Sequence, residues 1–211
     1  MSATRLLVLG VVRMHGKAHG YQVRRDLLTW SADKWANVQP GSIYHALKKM
    51  TAEQLLEQVD TEQGAGPDRV AYQLTADGET EFRRLLGQAL ADPDPNGHER
   101  SAAIVLMPAL PRDRVIGLLK QQLVKLEADE RTAELLTEEG KDTEEPEHVR
   151  ELFRLWQVHA GASVRWLRDL ISRLEAGEYR MADDAGQSFG KPPTRRPTTT
   201  PDRDASRHQP L

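Results

Sequence analysis

At 211 residues the chain has material for one to two domains at about 150 residues each. Its 29 lysines and arginines against 32 aspartates and glutamates leave a net charge of −3, which excludes a global basic field holding nucleic acid or anionic lipid without selectivity. Cysteine is absent, which excludes disulfides, thiolate nucleophiles and sulfur-ligated zinc and permits a reducing, cytoplasmic setting.

Near the start, the apolar stretch Leu6 to Val12 is bounded by Arg5 and Arg13 and has no small-residue cleavage site after it, so no export signal is expected. No run approaches the roughly 18 apolar residues that cross a bilayer. The expectation is a soluble, cytoplasmic, mainly α chain without membrane attachment. Charge is uneven along it: residues 1–90 carry 11 basic and 10 acidic groups, residues 91–180 carry 13 and 18, and residues 181–211 carry 5 and 4.

Leu6, Leu7, Leu9, Val11 and Val12 predict a buried helix that ends near His15-Gly16. Val23, Leu27 and Trp30 recur at four and three residues, the spacing of an amphipathic helix. A third helix is expected from Pro40, whose fixed φ suits the first helical position, with Ile43, Leu47 and Met50 as its inward stripe. Leu55 to Gln63 and Asp68 to Leu74 read as two short strands joined by Gly64-Ala65-Gly66-Pro67, the residue types a tight hairpin loop requires. Thr75 then caps a fourth helix carrying Phe82, Leu85, Leu86 and Ala89. Helices, a two-stranded hairpin and a closing helix in this order describe a winged helix-turn-helix with a small β-hairpin wing.

Ala91-Asp92-Pro93-Asp94-Pro95-Asn96-Gly97 stops the helix arriving from upstream. It places residues 1–90 in a first domain, residues 91–99 in a linker and residues 100–180 in a second, helical domain. This second part opens with the apolar piece Ile104 to Met107. A long helix from Pro111 follows, with Ile116, Leu119, Leu123, Leu126 and Ala133 at spacings of three, four and seven and Glu130 interrupting the seam. A last helix from Pro146 to about Ala176 sets Val149, Phe153, Trp156, Ala160, Ser163, Leu167, Leu170 and Leu174 at coiled-coil spacing. The two long helices could pair with each other; burial of the seam against a second copy is the simpler reading, making this a C-terminal α-helical dimerisation domain. Residues 181–211 offer few large apolar side chains beside their prolines and threonines, so a disordered tail is expected.

With about 100° per residue on the third helix, the face opposite Ile43, Leu47 and Met50 presents Gly41, Tyr44, His45 and Lys48, flanked by Ser42 and Lys49. A helix fits the major groove, where lysine reaches guanine acceptors and phosphates and the Tyr and Ser hydroxyls bond phosphate oxygens. The alternative is an ordinary solvated helix face. Arg69 stands at the hairpin tip, where a side chain can enter the minor groove, and Asp68 beside it opposes phosphate approach.

Gly64 to Arg69 lacks the third glycine and the helix of a dinucleotide loop. His15 and His19 are separated by Gly16 and no third ligand matches their spacing, so no metal is expected. No nucleophile elbow, zinc-protease helix or phosphate loop occurs, so neither catalytic residues nor a cofactor is expected. Trp156, in the heptad seam, and Trp166, one position off it, are candidates either for interface burial or for stacking on a flat effector.

Three segments together resemble the PadR family of transcriptional regulators: His19-Gly20-Tyr21, Pro40-Gly41-Ser42-Ile43-Tyr44 through Met50, and Gly66-Pro67-Asp68-Arg69 to Tyr72-Gln73-Leu74-Thr75-Ala76-Asp77-Gly78. The resemblance covers about residues 5–90. More loosely, Ala162 to Leu174 is similar to the C-terminal domain of the longer PadR members. It implies a homodimeric, usually repressing regulator on a pseudo-palindromic operator, often released by a small aromatic effector. By that likeness Tyr21, Ser42, Tyr44 and Lys48 touch DNA, with Arg69 in the wing; Gln39, His45 and Lys49 on the same surface complete the candidate set. The sequence departs from the family at Gln39, where a small hydroxyl residue is usual, and at His45, where proline is common. Val70-Ala71 replace the usual basic and aromatic residues after the wing arginine, which lowers the expected wing contribution.

The expected function is therefore a sequence-specific DNA-binding regulator with half-sites about one helical turn, roughly 34 Å, apart. The alternative is a winged-helix protein–protein assembly module whose acidic second domain is the contact surface.

Overall fold

The computed structural model describes residues 2–59, 70–93, 97–139 and 146–185. It is mainly α with one small antiparallel sheet. Helix α1 (Ala3–His15) is apolar on nearly every face and lies at the centre, with Leu6, Leu7, Val8, Leu9, Val11 and Val12 wholly buried. Gly16 ends it at φ +69, a conformation open to glycine.

Strand β1 (Ala18–His19), α2 (Gly20–Thr29), the single turn α3 (Ala32–Trp35) and α4 (Pro40–Ala52) follow. Then come β2 (Leu56–Val59), β3 (Ala71–Leu74) and α5 (Ala76–Ala91). The sheet order is β1-β3-β2, with Ala18 opposite Tyr72, His19 opposite Ala71, and Val59 also opposite Ala71. Sequence periodicity shows neither β1 nor α3, because two and four residues are too few for a repeat. Contacts hold them: β1 borrows the free edge of β3, and Trp35 Nε1 donates to the Trp30 carbonyl at 2.7 Å.

Thr75 caps α5 as its sequence position indicated, its hydroxyl oxygen accepting from Gly78 N at 3.0 Å. Charged pairs fasten α5 to α1. Arg13 Nε donates to Glu79 at 2.9 Å, and Arg5 bridges Glu53 at 2.6 Å and Glu81 at 3.4 Å. Arg84, bonded to Glu81, and then Arg5 hold the Glu81 carboxyl below its ordinary range. Its contribution to stability is thus present at neutral pH and lost as acid protonates it.

Ile104 to Leu106 prove to be the end of a helix, α6 (His98–Leu106), which Met107 caps and which folds back on the first segment. Leu106 lies over Gly10 of α1, where an added Cβ would come within 2.6 Å of its Cδ2. Helix α7 (Arg112–Glu139) and helix α8 (Arg150–Glu175) form an antiparallel hairpin. Lys120 pairs with Glu175 at 2.8 Å and Glu127 with Arg168 at 2.7 Å, which fixes their register. The end of α5 is tied to α7, where the buried Gln122 donates from Nε2 to the Asp92 carbonyl at 2.7 Å and Lys125 meets the Asp92 carboxylate.

Two sequence expectations change here. The carboxy-terminal half of the α8 seam is not left for a second copy: Leu167, Leu170 and Leu174, with Val164 and Ile171, are buried in this chain, where α7 is the helix packed against α8. A complementary apolar face on the same chain is at high effective concentration and takes the seam first. Met181 to Asp184, which the sequence places in the tail, are tied to the helical part. Arg112 donates to the carbonyls of Leu174 and Tyr179 and pairs with Asp184, Ala182 N bonds the Leu110 carbonyl, and Met181 is buried. Residues 186–211 lie outside the described residues.

Candidate nucleic-acid interface

Helix α4 carries most of the candidate residues. Gln39 is its N-cap: its carbonyl accepts from Ser42 N at 3.0 Å, Ile43 N at 3.4 Å and Ser42 Oγ at 2.7 Å. With that proton committed to backbone, the Ser42 hydroxyl faces a partner chiefly as an acceptor. Ile43, Leu47 and Met50 are buried, which turns Tyr44, His45, Lys48 and Lys49 outward, all exposed. No heavy atom lies within 4 Å of where a Cβ on Gly41 would stand, so the first turn is open to close approach.

Tyr21, in the first turn of α2, is 53% exposed, and its ring stacks on His19 at 5.6 Å between centroids and 12° between planes. Gly20 brings the two helix starts together. An alanine Cβ there would meet Tyr44 Cε1 at 2.9 Å, so the Tyr44 ring rests on the first turn of α2. The sheet adds the third component. Because His19 pairs with Ala71 in antiparallel register, the next residue, Gly20, leaves β1 toward the loop end of the hairpin. The start of α2, the start of α4 and the base of the wing therefore share one side of the domain. Arg69 and the Gly64 to Pro67 loop lie outside the described residues.

Sequence reasoning missed a polar arrangement on α2. Asp26 lies on the inward face with Val23 and Leu27 and is 1% exposed. Its Oδ2 is 2.6 Å from His15 Nε2, and its Oδ1 accepts from Arg25 Nε at 3.0 Å. An acidic residue on an apolar stripe was the available signal. His15 thus serves a buried carboxylate, and among the described residues no group of three or more His, Cys, Asp or Glu side chains could hold a metal ion.

Of the two tryptophan candidates, the structure brings one to a cavity. Trp156, 48% exposed, lines a groove of about 750 Å³ between α7 and α8 together with Pro93, Arg100, Leu126, Ala133 and His159. Trp166 does not line it. With Leu152 and Leu155, Trp166 forms a second stripe on α8, the three falling within about 60° at 100° per residue. Among the described residues no helix is long and apolar enough to cross a membrane.

No curated protein matches the chain. Among solved structures, Bacillus subtilis PadR in complex with operator DNA is similar at 22% identity, covering 81% of this chain and 98% of that one, with a TM-score of 0.38. The same regulator in complex with p-coumaric acid is 19% identical, with coverages of 82% and 99% and a TM-score of 0.34. A PadR-like transcriptional regulator from Bacillus cereus is 18% identical, with coverages of 82% and 99% and a TM-score of 0.35. These likenesses are loose over the full chains. The model of the transcriptional regulator PadR-like family matches residues 8–84, which hold α2, α4 and both hairpin strands.

Proposed function

We propose that this chain is a homodimeric, sequence-specific DNA-binding repressor that acts in the cytoplasm and is released by a small aromatic effector. The observation that carries DNA reading is the convergence of the α2 start, the α4 start and the wing base on one side, with Tyr21, Tyr44, His45, Lys48 and Lys49 exposed there. In this reading α4 enters the major groove, with Gln39 and Ser42 at its leading end, and Arg69 reaches the adjacent minor groove from the wing. Residues 1–90 form the reading domain, 91–99 the link, and 100–180 the helical dimerisation part.

Phosphate neutralisation gives the test. Alanine at Lys48 or at Arg69 is expected to lower the slope of log affinity against log salt by about one each. Fluorescence anisotropy on a duplex enriched by the protein from a random pool measures it. Unchanged slopes for both variants remove this docking, and absence of any duplex binding favours the protein-assembly alternative, for which the acidic middle segment is the contact surface.

Release by an effector is supported by the groove that Trp156 lines, which joins an indole face and apolar walls to Arg100 and His159. Planar phenolic acids are expected to quench tryptophan fluorescence and to release the duplex over the same concentration range. Quenching should vanish in Trp156→Phe and persist in Trp166→Phe. Quenching that depends on Trp166 alone moves the site to the outer stripe of α8.

A further inference from the structure

Arg25 occupies the exposed face of α2 one turn beyond Tyr21, and its side chain is 49% exposed. Most surface arginines sample many rotamers and lose that freedom when they bind. This one is fastened at Nε by the Asp26 carboxylate, which is itself buried and held from the other side by His15 at the end of α1. A guanidinium bonded through Nε keeps its two terminal amino groups for a second acceptor, in the planar fork that fits phosphate oxygens. The carboxylate that orients it is inside the protein, so the guanidinium is preset and its exposed part is left to a second acceptor. Tyr21 precedes it on the same face, at the helix start beside α4 and the wing base.

We propose that Arg25 is a DNA-phosphate clamp on α2, set in position by Asp26 and His15, that grips the backbone flanking the half-site read by α4. This rests on the DNA-binding reading and adds a contact outside the reading helix. Arg25 is the contacting group; Asp26 and His15 are positioning residues.

The test is a salt titration of the full chain on the pool-enriched duplex, followed by anisotropy. Arg25→Ala is expected to lose about ten-fold in affinity at moderate salt and about one unit of salt slope, the contribution of one neutralised phosphate. Arg25→Lys keeps the charge without the fork, so its slope should match the parent while its affinity falls several-fold. Asp26→Asn should weaken binding several-fold in the parent and add nothing in the Arg25→Ala background, the coupling expected when one residue acts through the other. An Asp26→Asn loss of equal size in both backgrounds shows that Asp26 acts only through the packing of α2 and overturns its positioning role. An unchanged slope in Arg25→Ala, with the parent binding normally, overturns the clamp while leaving the DNA reading intact. A parent chain that binds no duplex overturns that reading, and the clamp with it. If Asp26→Asn fails to fold, the slopes of the two Arg25 variants still decide the contact.

Discussion

Alanine at Gly78 is expected to destabilise the amino-terminal domain by about 2–4 kcal/mol, at the upper end of what overpacking costs. Gly78 lies in the first turn of α5, where a Cβ would overlap the carbonyl oxygen of Leu55. That carbonyl already accepts from Thr75 N at 3.1 Å, and Thr75 Oγ1 donates to the Gln54 carbonyl at 2.7 Å. The added methyl therefore meets backbone held by two bonds at the point where β2, β3 and α5 join, and relief requires moving the hairpin. Gly10→Ala is the comparison: its methyl meets the Cδ atoms of Leu106, the free end of a side chain, and costs less, about 1–2 kcal/mol. Chemical denaturation with tryptophan fluorescence measures both. Equal, small losses would show that the Leu55 backbone yields freely. Because the wing hangs from this junction, duplex binding by Gly78→Ala should fall even at temperatures where the domain remains folded.

The second large effect concerns assembly. Leu152→Lys combined with Leu155→Lys is expected to convert a dimer to single chains and to cost 100-fold or more in operator affinity, the range by which linked sites exceed separate ones. Both side chains are exposed near the start of α8, ahead of the buried run from Val164 to Leu174, so the hairpin itself should stay folded. Leu152, Leu155 and Trp156 leave exposed apolar surface at the start of α8, of the kind that a second copy covers. Sedimentation and anisotropy on the same samples provide the measurement. A parent chain that sediments as a single protomer at working concentration, or a variant that stays dimeric, removes this surface from the assembly.

Much of the fold was legible because it is written at close range. Pro40 with Ile43, Leu47 and Met50 sets the start and the inward face of α4 together, and the outward face follows by geometry; Tyr44, His45, Lys48 and Lys49 are all exposed as that geometry requires. Thr75 and Gly78 mark the hairpin-to-helix junction in the same local way. What could not be read was the choice of partner. A heptad row on α8 states that a seam exists and is silent on which helix covers it. Leu167, Leu170 and Leu174 are buried within their own chain while Leu152, Leu155 and Trp166 stay exposed. The anchoring of Met181 to Asp184 depends on Arg112, some seventy residues earlier, and no short window contains both. Asp26 was visible as an acidic residue on an apolar stripe, but its partner His15 belongs to a different helix.

DNA reading by the face that α2, α4 and the wing base share is tested most directly by competition on one sample. The full chain is bound to its pool-enriched duplex at fixed salt and challenged with unselected duplex. A reading face predicts a preference of about 10³-fold or more for the enriched sequence, with two protected half-sites one helical turn apart. Equal affinity for both duplexes contradicts it.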